Sequence, residues 1–227
     1  MREKLASILF GGSCFLCRGA ARRLLCAACE ADLPHLTMPL CPRCALPSPG
    51  ALVCGRCLSE SPAYDATRAA LAYDFPADAL VHALKFRGEL ALAPLLAGLL
   101  ADKLDGERVD CVVPVPLSAQ RLRSRGYNQA VEIARHLQQH GLELALCERT
   151  RDAPPQIELP YAERQRNVRG AFRCTRALIG ARVAVVDDVM TTGATLDEMA
   201  RTLKAAGAVY VVNWVVARTF RINEPHA

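Results

Sequence analysis

Residues 182–195 read RVAVVDDVMTTGAT, and the fold is decided here. Arg182–Val186 reads as a strand whose apolar run is continuous, as in a strand buried on both faces of a parallel sheet. Two carboxylates, Asp187 and Asp188, follow it. A loop of small and hydroxylic residues, Thr191-Thr192-Gly193-Ala194-Thr195, then opens a helix predicted over Thr195–Ala206 and stopped by Gly207. In an open parallel sheet, ligands sit at the carboxyl ends of strands. Such a loop can wrap a phosphate with backbone N–H groups, and the helix adds its positive end. Gly193 lets the backbone approach closely. Thr191, Thr192 and Thr195 offer hydroxyl donors. Asp187 and Asp188 only accept, which suits the two vicinal hydroxyls of a ribose. A phosphate at one end and a diol at the other describe a ribose 5-phosphate. A plainer reading has the acids end a strand and Thr195 cap a helix. Paired acids also mark phospho-acceptor receiver domains, but there they lie on an early strand. A Walker loop is excluded, because no lysine directly follows Gly193.

Outward from this stretch, strand-like and helical patterns alternate. Thr67–Asp74, Asp110–Val115, Leu142–Cys147 and Val209–Ala217 read as strands. Ala77–Arg87, Glu89–Leu104 and Tyr127–His140 read as helices. The alternation predicts an α/β fold with a parallel sheet flanked by helices.

Before residue 62 the chain changes character. Eight of its 11 cysteines form four C-x-x-C pairs: Cys14/Cys17, Cys26/Cys29, Cys41/Cys44 and Cys54/Cys57. Two such pairs about 8–12 residues apart give four thiolates for a tetrahedral zinc site. Sequential pairing would put Cys14, Cys17, Cys26 and Cys29 in one site and Cys41, Cys44, Cys54 and Cys57 in the other. A crossed pairing fits the spacing as well. Four disulfides would need an oxidising compartment, and no export signal is read at the N-terminus. Redox C-x-x-C motifs come singly. The expected organisation is a zinc-binding domain over residues 1–62 and an α/β domain over 63–227. Metal binding would supply the folding free energy of the turn-rich head. Cys111, Cys147 and Cys174 read as apolar fillers.

Composition narrows the function. The chain has 227 residues, 52% hydrophobic and 22% charged, so it is not disordered. Aromatics are 5%, which does not favour a protein built around stacked single-stranded bases. Formal net charge is +5, and 24 of the 28 basic residues are arginine, a planar fork suited to phosphate. Residues 118–182 hold 12 arginines against 6 acidic residues, a cationic cover suited to a diphosphate or a nucleic acid. The apolar stretch Leu90–Leu104 is too short and too interrupted to span a bilayer. A cytoplasmic protein without membrane insertion is expected.

VVDDVMTTGAT resembles the phosphoribosyl-pyrophosphate (PRPP) signature of type I phosphoribosyltransferases. Further segments extend the resemblance: the four cysteine pairs, His-Ala-Leu-Lys-Phe at 82–86, Val-Pro-Val-Pro at 113–116, and Arg-Gly-Tyr-Asn-Gln at 125–129. Gln156, Leu159, Arg164 and Asn167 follow in the pattern Q-x2-L-x4-R-x2-N. Together they resemble the ComF/GntX family of competence-related, phosphoribosyltransferase-like proteins with an N-terminal double zinc ribbon. Tyr127 departs mildly, since the family usually has Phe there.

The resemblance implies roles by position. Asp187 and Asp188 would hold the ribose hydroxyls, and Thr191, Thr192, Gly193, Ala194 and Thr195 the 5′-phosphate. Val189 and Met190 join these two parts. Val115 and Pro116 would belong to the pyrophosphate loop, with Arg121, Arg125, Asn128 and Gln129 after it. Arg164 and Asn167 would lie in a lid over residues 153–170, with Arg166 and Arg169. Lys85 would face the ligand or lie along the surface, and His82 is not expected to be catalytic. Structural zinc, and magnesium arriving with PRPP, are the implied cofactors. Single-stranded DNA and proteins of the DNA-uptake machinery are implied partners. The transfer moves a pentosyl group and needs no protein nucleophile, so no catalytic base is assigned. Two functions follow: a phosphoribosyltransferase with an unidentified acceptor, or a non-catalytic PRPP- or DNA-binding accessory of natural transformation.

Overall fold

The structure is a computed structural model describing residues 12–137, 143, 146–150 and 168–220. The first elements are short. Strands β1 (Gly12–Ser13) and β2 (Ala20–Ala21) pair antiparallel, and helix α1 (Ala27–Ala31) follows. Helix α2 (Gly55–Glu60) closes the cysteine-rich head. Then come β3 (Ala66–Ala72), α3 (Ala77–Phe86), α4 (Leu92–Ala101), β4 (Cys111–Pro114), α5 (Ala119–Arg125) and α6 (Gln129–Arg135). The chain continues with β5 (Cys147–Arg149), β6 (Phe172–Cys174), β7 (Arg182–Met190), α7 (Ala194–Ala205) and β8 (Tyr210–Arg218).

Four of these strands form one parallel sheet in the order β3-β8-β7-β4. The two central strands are the two long apolar runs, as burial on both faces requires. Alternate side chains feed two cores. Ala184, Val186, Val212, Trp214 and Val216 meet α3, α4 and α6 through Leu80, Leu84, Leu96, Leu100 and Ile133. Val183, Val185, Val211 and Val215 meet α7 through Leu196, Met199, Ala200 and Leu203. Pro94 falls in the first turn of α4, where the missing N–H costs nothing.

Two boundaries differ from expectation. The central strand does not stop at Val186 but stays paired through Met190, so both aspartates lie inside it. Backbone pairing to β8 holds the strand after its apolar run ends. Helix α5 and the antiparallel pair β5/β6 have no clear periodicity in the sequence, being three to seven residues long and largely polar. Strand β5 also begins at Cys147, where the predicted strand was to end. The helix expected over Tyr127–His140 is shorter: α6 runs from Gln129, capped by Asn128, to Arg135, with His136 as its C-cap.

The head is built as a repeat. In each half the first cysteine takes a backbone N–H bond from the third: Cys26 N to Cys14 Sγ at 3.4 Å, Cys54 N to Cys41 Sγ at 3.3 Å. Its own N–H donates to a carbonyl five residues on, Gly19 or Leu46, at 2.7 Å in both cases. Four residues after it stands a left-handed residue, Arg18 (φ 63°) or Ala45 (φ 54°). The third cysteine then caps a short helix. These halves sit on opposite faces of the sheet. Cys14, Leu25 and Leu33 join the core under α3 and α4, whereas Leu36, Cys41, Cys44 and Cys57 join the core under α7. Between them the chain runs along the β3 edge: Ala72 N donates to Pro34 O at 2.8 Å and Thr67 N to Pro42 O at 3.1 Å. The head therefore shares its apolar core with the sheet, which the sequence reading did not anticipate.

Candidate functional site

Two sites can be built from these elements. In the head, the pairing is sequential, not crossed. Cys14, Cys17, Cys26 and Cys29 gather in one set and Cys41, Cys44, Cys54 and Cys57 in another, with sulfurs within 4.8 Å of one another. Zinc–sulfur bonds of about 2.3 Å imply sulfurs about 3.8 Å apart in a tetrahedron. The sulfurs of Cys17 and Cys26 are 3.8 Å apart, and those of Cys44 and Cys54 3.6 Å. Amide N–H groups of Cys17 and Cys26 hold the Cys14 thiol down at about 6. Burial pushes the Cys41 thiol up, but the N–H groups of Cys54 and Cys44 outweigh it and leave it at about 7. A thiolate is thus ready in each set, and both sets fit structural zinc.

The second site lies at the carboxyl end of β7. Asp188 is buried, and its Oδ1 accepts from Lys85 Nζ at 2.8 Å. Lys85 comes from the last turn of α3, so α3 packing on the sheet brings it there. Burial alone would lower the Lys85 ammonium, but Asp188 and Asp187 raise it, so it stays charged. Asp187 behaves differently. Burial, then the neighbouring Asp188, push its carboxyl up to about 7, against the pull of Lys85. Lys85 thus serves two acids, with Arg149 adding a smaller pull on Asp187, and Asp187 is left short of charge compensation.

After Met190 the backbone turns through Thr191, Thr192 and Gly193 (φ 86°) into α7, and Gly193 is the cap residue. Thr195 lies inside the first turn and does not cap it. Three successive loop carbonyls are held by guanidinium groups. Arg218 Nη1 donates to Met190 O at 2.8 Å and to Thr191 O, and Arg56 donates to Thr192 O. A planar trans peptide sets each carbonyl opposite the following N–H. The N–H groups of Thr191, Thr192 and Gly193 therefore point away from the arginines. A Cβ on Gly193 would come within 2.7 Å of Met190 Cε and 3.1 Å of Tyr64 Oη.

Arg218 and Arg56 escaped the sequence reading. Arg218 is fully buried at the end of β8, and its Nε also donates to Cys44 O at 2.8 Å, inside the second cysteine set. Arg56 lies in α2, between the cysteines Cys54 and Cys57. The second knuckle thus braces the loop from behind. The available signal was a lone arginine closing the otherwise apolar run of residues 209–217.

The remaining predicted residues are placed as follows. Val115 continues from β4 and donates its N–H to Val186 O at 2.9 Å; Pro116 follows it, half-buried. Asn128 donates Nδ2 to Val115 O at 2.9 Å and caps α6 by accepting from Ala130 N. Asn128 thereby fixes the turn after β4. Gln129 is buried, and its Nε2 has no hydrogen-bond partner among the described residues. Arg121 is half-buried in α5, and Arg125 lies 4.9 Å over the Phe86 ring. Arg164 and Asn167 lie outside the described residues, with Arg166 and most of the expected lid. Arg169 is exposed. Cys111 and Cys147 are buried, consistent with fillers. Among the described residues no helix is long and apolar enough to cross a membrane.

Known proteins resemble this chain over nearly its whole length. A family model described as a double zinc ribbon domain matches residues 5–58. DNA utilization protein YhgH of Salmonella typhimurium is 34% identical over 223 residues, covering 92% of this chain and 97% of its own. Competence protein F of Haemophilus influenzae is 30% identical over 227 residues, covering 92% and 98%. Among solved structures, the allosteric regulatory enzyme of purine biosynthesis shares 25% identity with a TM-score of 0.36. That match covers 54% of this chain and only 25% of the enzyme. A purine phosphoribosyltransferase from Pyrococcus horikoshii shares 21% identity with a TM-score of 0.33, over 60% of this chain and 92% of its own.

Proposed function

The chain belongs to the ComF/GntX family of competence-related, phosphoribosyltransferase-like proteins, and on that premise we propose that it binds PRPP across Asp187–Thr195 and transfers the phosphoribosyl group. The acceptor takes the group at C1′, and pyrophosphate leaves. The observation that carries this reading is the pairing of an acid pair on β7 with a loop whose carbonyls are all tied back. The loop N–H groups would take the 5′-phosphate. Asp187 and Asp188 would accept from the ribose hydroxyls, with Lys85 releasing or sharing Asp188 as the hydroxyls arrive.

This chain's contribution is binding and charge placement. As the bond from C1′ to pyrophosphate breaks, positive charge grows on the ribose and negative charge on the diphosphate. The two carboxylates would face the first, and Arg121 and Arg125, which follow the turn after β4, would face the second. Among the described residues, the only clusters of three or more metal-ligating side chains are the cysteine sets. Asp187 and Asp188 are the residues that would adjoin magnesium arriving with PRPP, and the ion would supply charge neutralisation there.

The relatives named for competence and for DNA utilization support a second reading, a non-catalytic PRPP- or single-stranded-DNA-binding accessory of DNA uptake. Pyrophosphate release from PRPP, measured with a panel of nucleobases and amines, separates the two. Turnover with one acceptor is expected of a transferase. Tight binding of PRPP with no release across the panel would leave the accessory reading.

A further inference from the structure

We propose that the cleft between the first cysteine knuckle and the outer face of α3 is a stacking site for unpaired bases of a single-stranded nucleic acid. The proposal rests on the DNA-binding reading above, and not on PRPP binding. Only 12 residues of this chain are Phe, Tyr or Trp, yet Phe15, Tyr73 and Phe75 line this one cleft of about 410 Å³, together with His82. Ala79, His82 and Phe86 follow a 3-4 spacing on the outer face of α3, and Phe75, two residues before the helix, lines the same cleft as Ala79 and His82. The opposite stripe, Ala77, Leu80, Val81 and Leu84, is buried in the core. The outer stripe is left to solvent: Phe75 is 77% exposed and Phe86 is 54% exposed. His82 and Phe86 already touch in a tilted pair, with ring centroids 4.8 Å and planes 47° apart.

Charge selects the occupant. Arg18 and Arg87 line the cleft, with Asp78 as the one acid among the lining residues. Arg18 leans over Phe15, and Arg125 caps Phe86 at the far end of the stripe. Exposed flat rings framed by guanidinium groups are what a single strand requires: faces for bases and cations for phosphates. A duplex hides its base faces, so it cannot use the rings. The low aromatic content argued against such a surface, but clustering on one face reverses that inference.

The test uses the full chain and a fluorescein-labelled oligothymidine of about 15 nucleotides, read by anisotropy. Phe75→Ala and Phe86→Ala should each weaken binding by about 5- to 150-fold, the range for one lost base stack. Neither should change the slope of log affinity against log salt, since no charge is removed. Arg18→Ala and Arg87→Ala should each reduce that slope by about 0.7. Phe75→Trp should keep the affinity and lose emission on binding, a clean signal because Trp214 is fully buried. Wild-type affinity in Phe75→Ala and Phe86→Ala, or equal affinity for a duplex of the same length, would overturn the proposal. Asp187→Asn separates the two readings: it should keep the oligonucleotide affinity whatever becomes of PRPP.

Discussion

Asp187 and Asp188 are neighbours with different jobs in the unliganded fold. Asp188 is half of a buried ion pair with Lys85, whereas Asp187 bears the cost of sharing that cation. Neutralising the one is therefore not equivalent to neutralising the other. Asp188→Asn leaves Lys85 charged and without its partner, and thermal stability should fall by up to about 3 kcal/mol. Asp187→Asn should do the reverse. The carboxyl stands near 7 in the fold against an ordinary value of 3.8, so its proton favours the folded state. That contribution is fully present below about pH 4 and is lost as pH rises through about 7. The asparagine variant lacks this loss, so its stability relative to the parent should grow between pH 5 and pH 8. Urea unfolding at those two pH values checks it, and a constant difference would contradict it. By the same sign, an ionised Asp187 accepts ribose hydroxyls better, so PRPP affinity should rise as pH passes through 7.

At the scale of elements, the loop between β7 and α7 is held from behind by the second knuckle. Arg218 bridges Cys44 O to Thr191 O, and α2 reaches Thr192 O through Arg56. Arg218→Met keeps bulk but leaves these buried carbonyls without their donor, at about 1–3 kcal/mol for each one left unsatisfied. It should both weaken PRPP binding and hasten zinc loss to a chromogenic chelator. Unchanged release kinetics would show the knuckle and the loop to be independent. Gly193→Ala should also destabilise the loop, because φ of 86° disfavours a side chain and the new Cβ meets Met190 and Tyr64.

These braces mark where the sequence stops being legible. The apolar runs of β7 and β8, the acid pair and the cysteine spacing are local patterns, and each could be read directly. The contact of Arg218 with Cys44 joins residues 174 apart, and no periodicity announces it. The extension of β7 past Val186 is set by pairing with β8, a neighbour the sequence order does not name. Helix α5, polar on every side, has no stripe to find.

The whole molecule is a sheet clasped at one edge by two knuckles, one on each face. Purified protein should carry about two zinc ions per chain, measured by elemental analysis; oxidised thiols without zinc would contradict this. A head that folded independently of the sheet would unfold on chelation before the core. The head's cysteines lie in the same apolar clusters as β7 and β8, so chelation should instead lower the main thermal transition. A head that melts alone, with the main transition unmoved, would show the shared core to be energetically slight.

The proposed PRPP site consists of the β7 acids and the loop after them. Titration calorimetry with PRPP and magnesium, on the parent chain and on Asp187→Asn, tests it most directly. Asp187 carries no buried ion pair, so the variant should stay folded. A carboxylate accepting a ribose hydroxyl contributes about 1.5–3 kcal/mol, so affinity should fall by about 10- to 150-fold. Undiminished affinity in the variant, or no heat from the parent chain, would contradict the account.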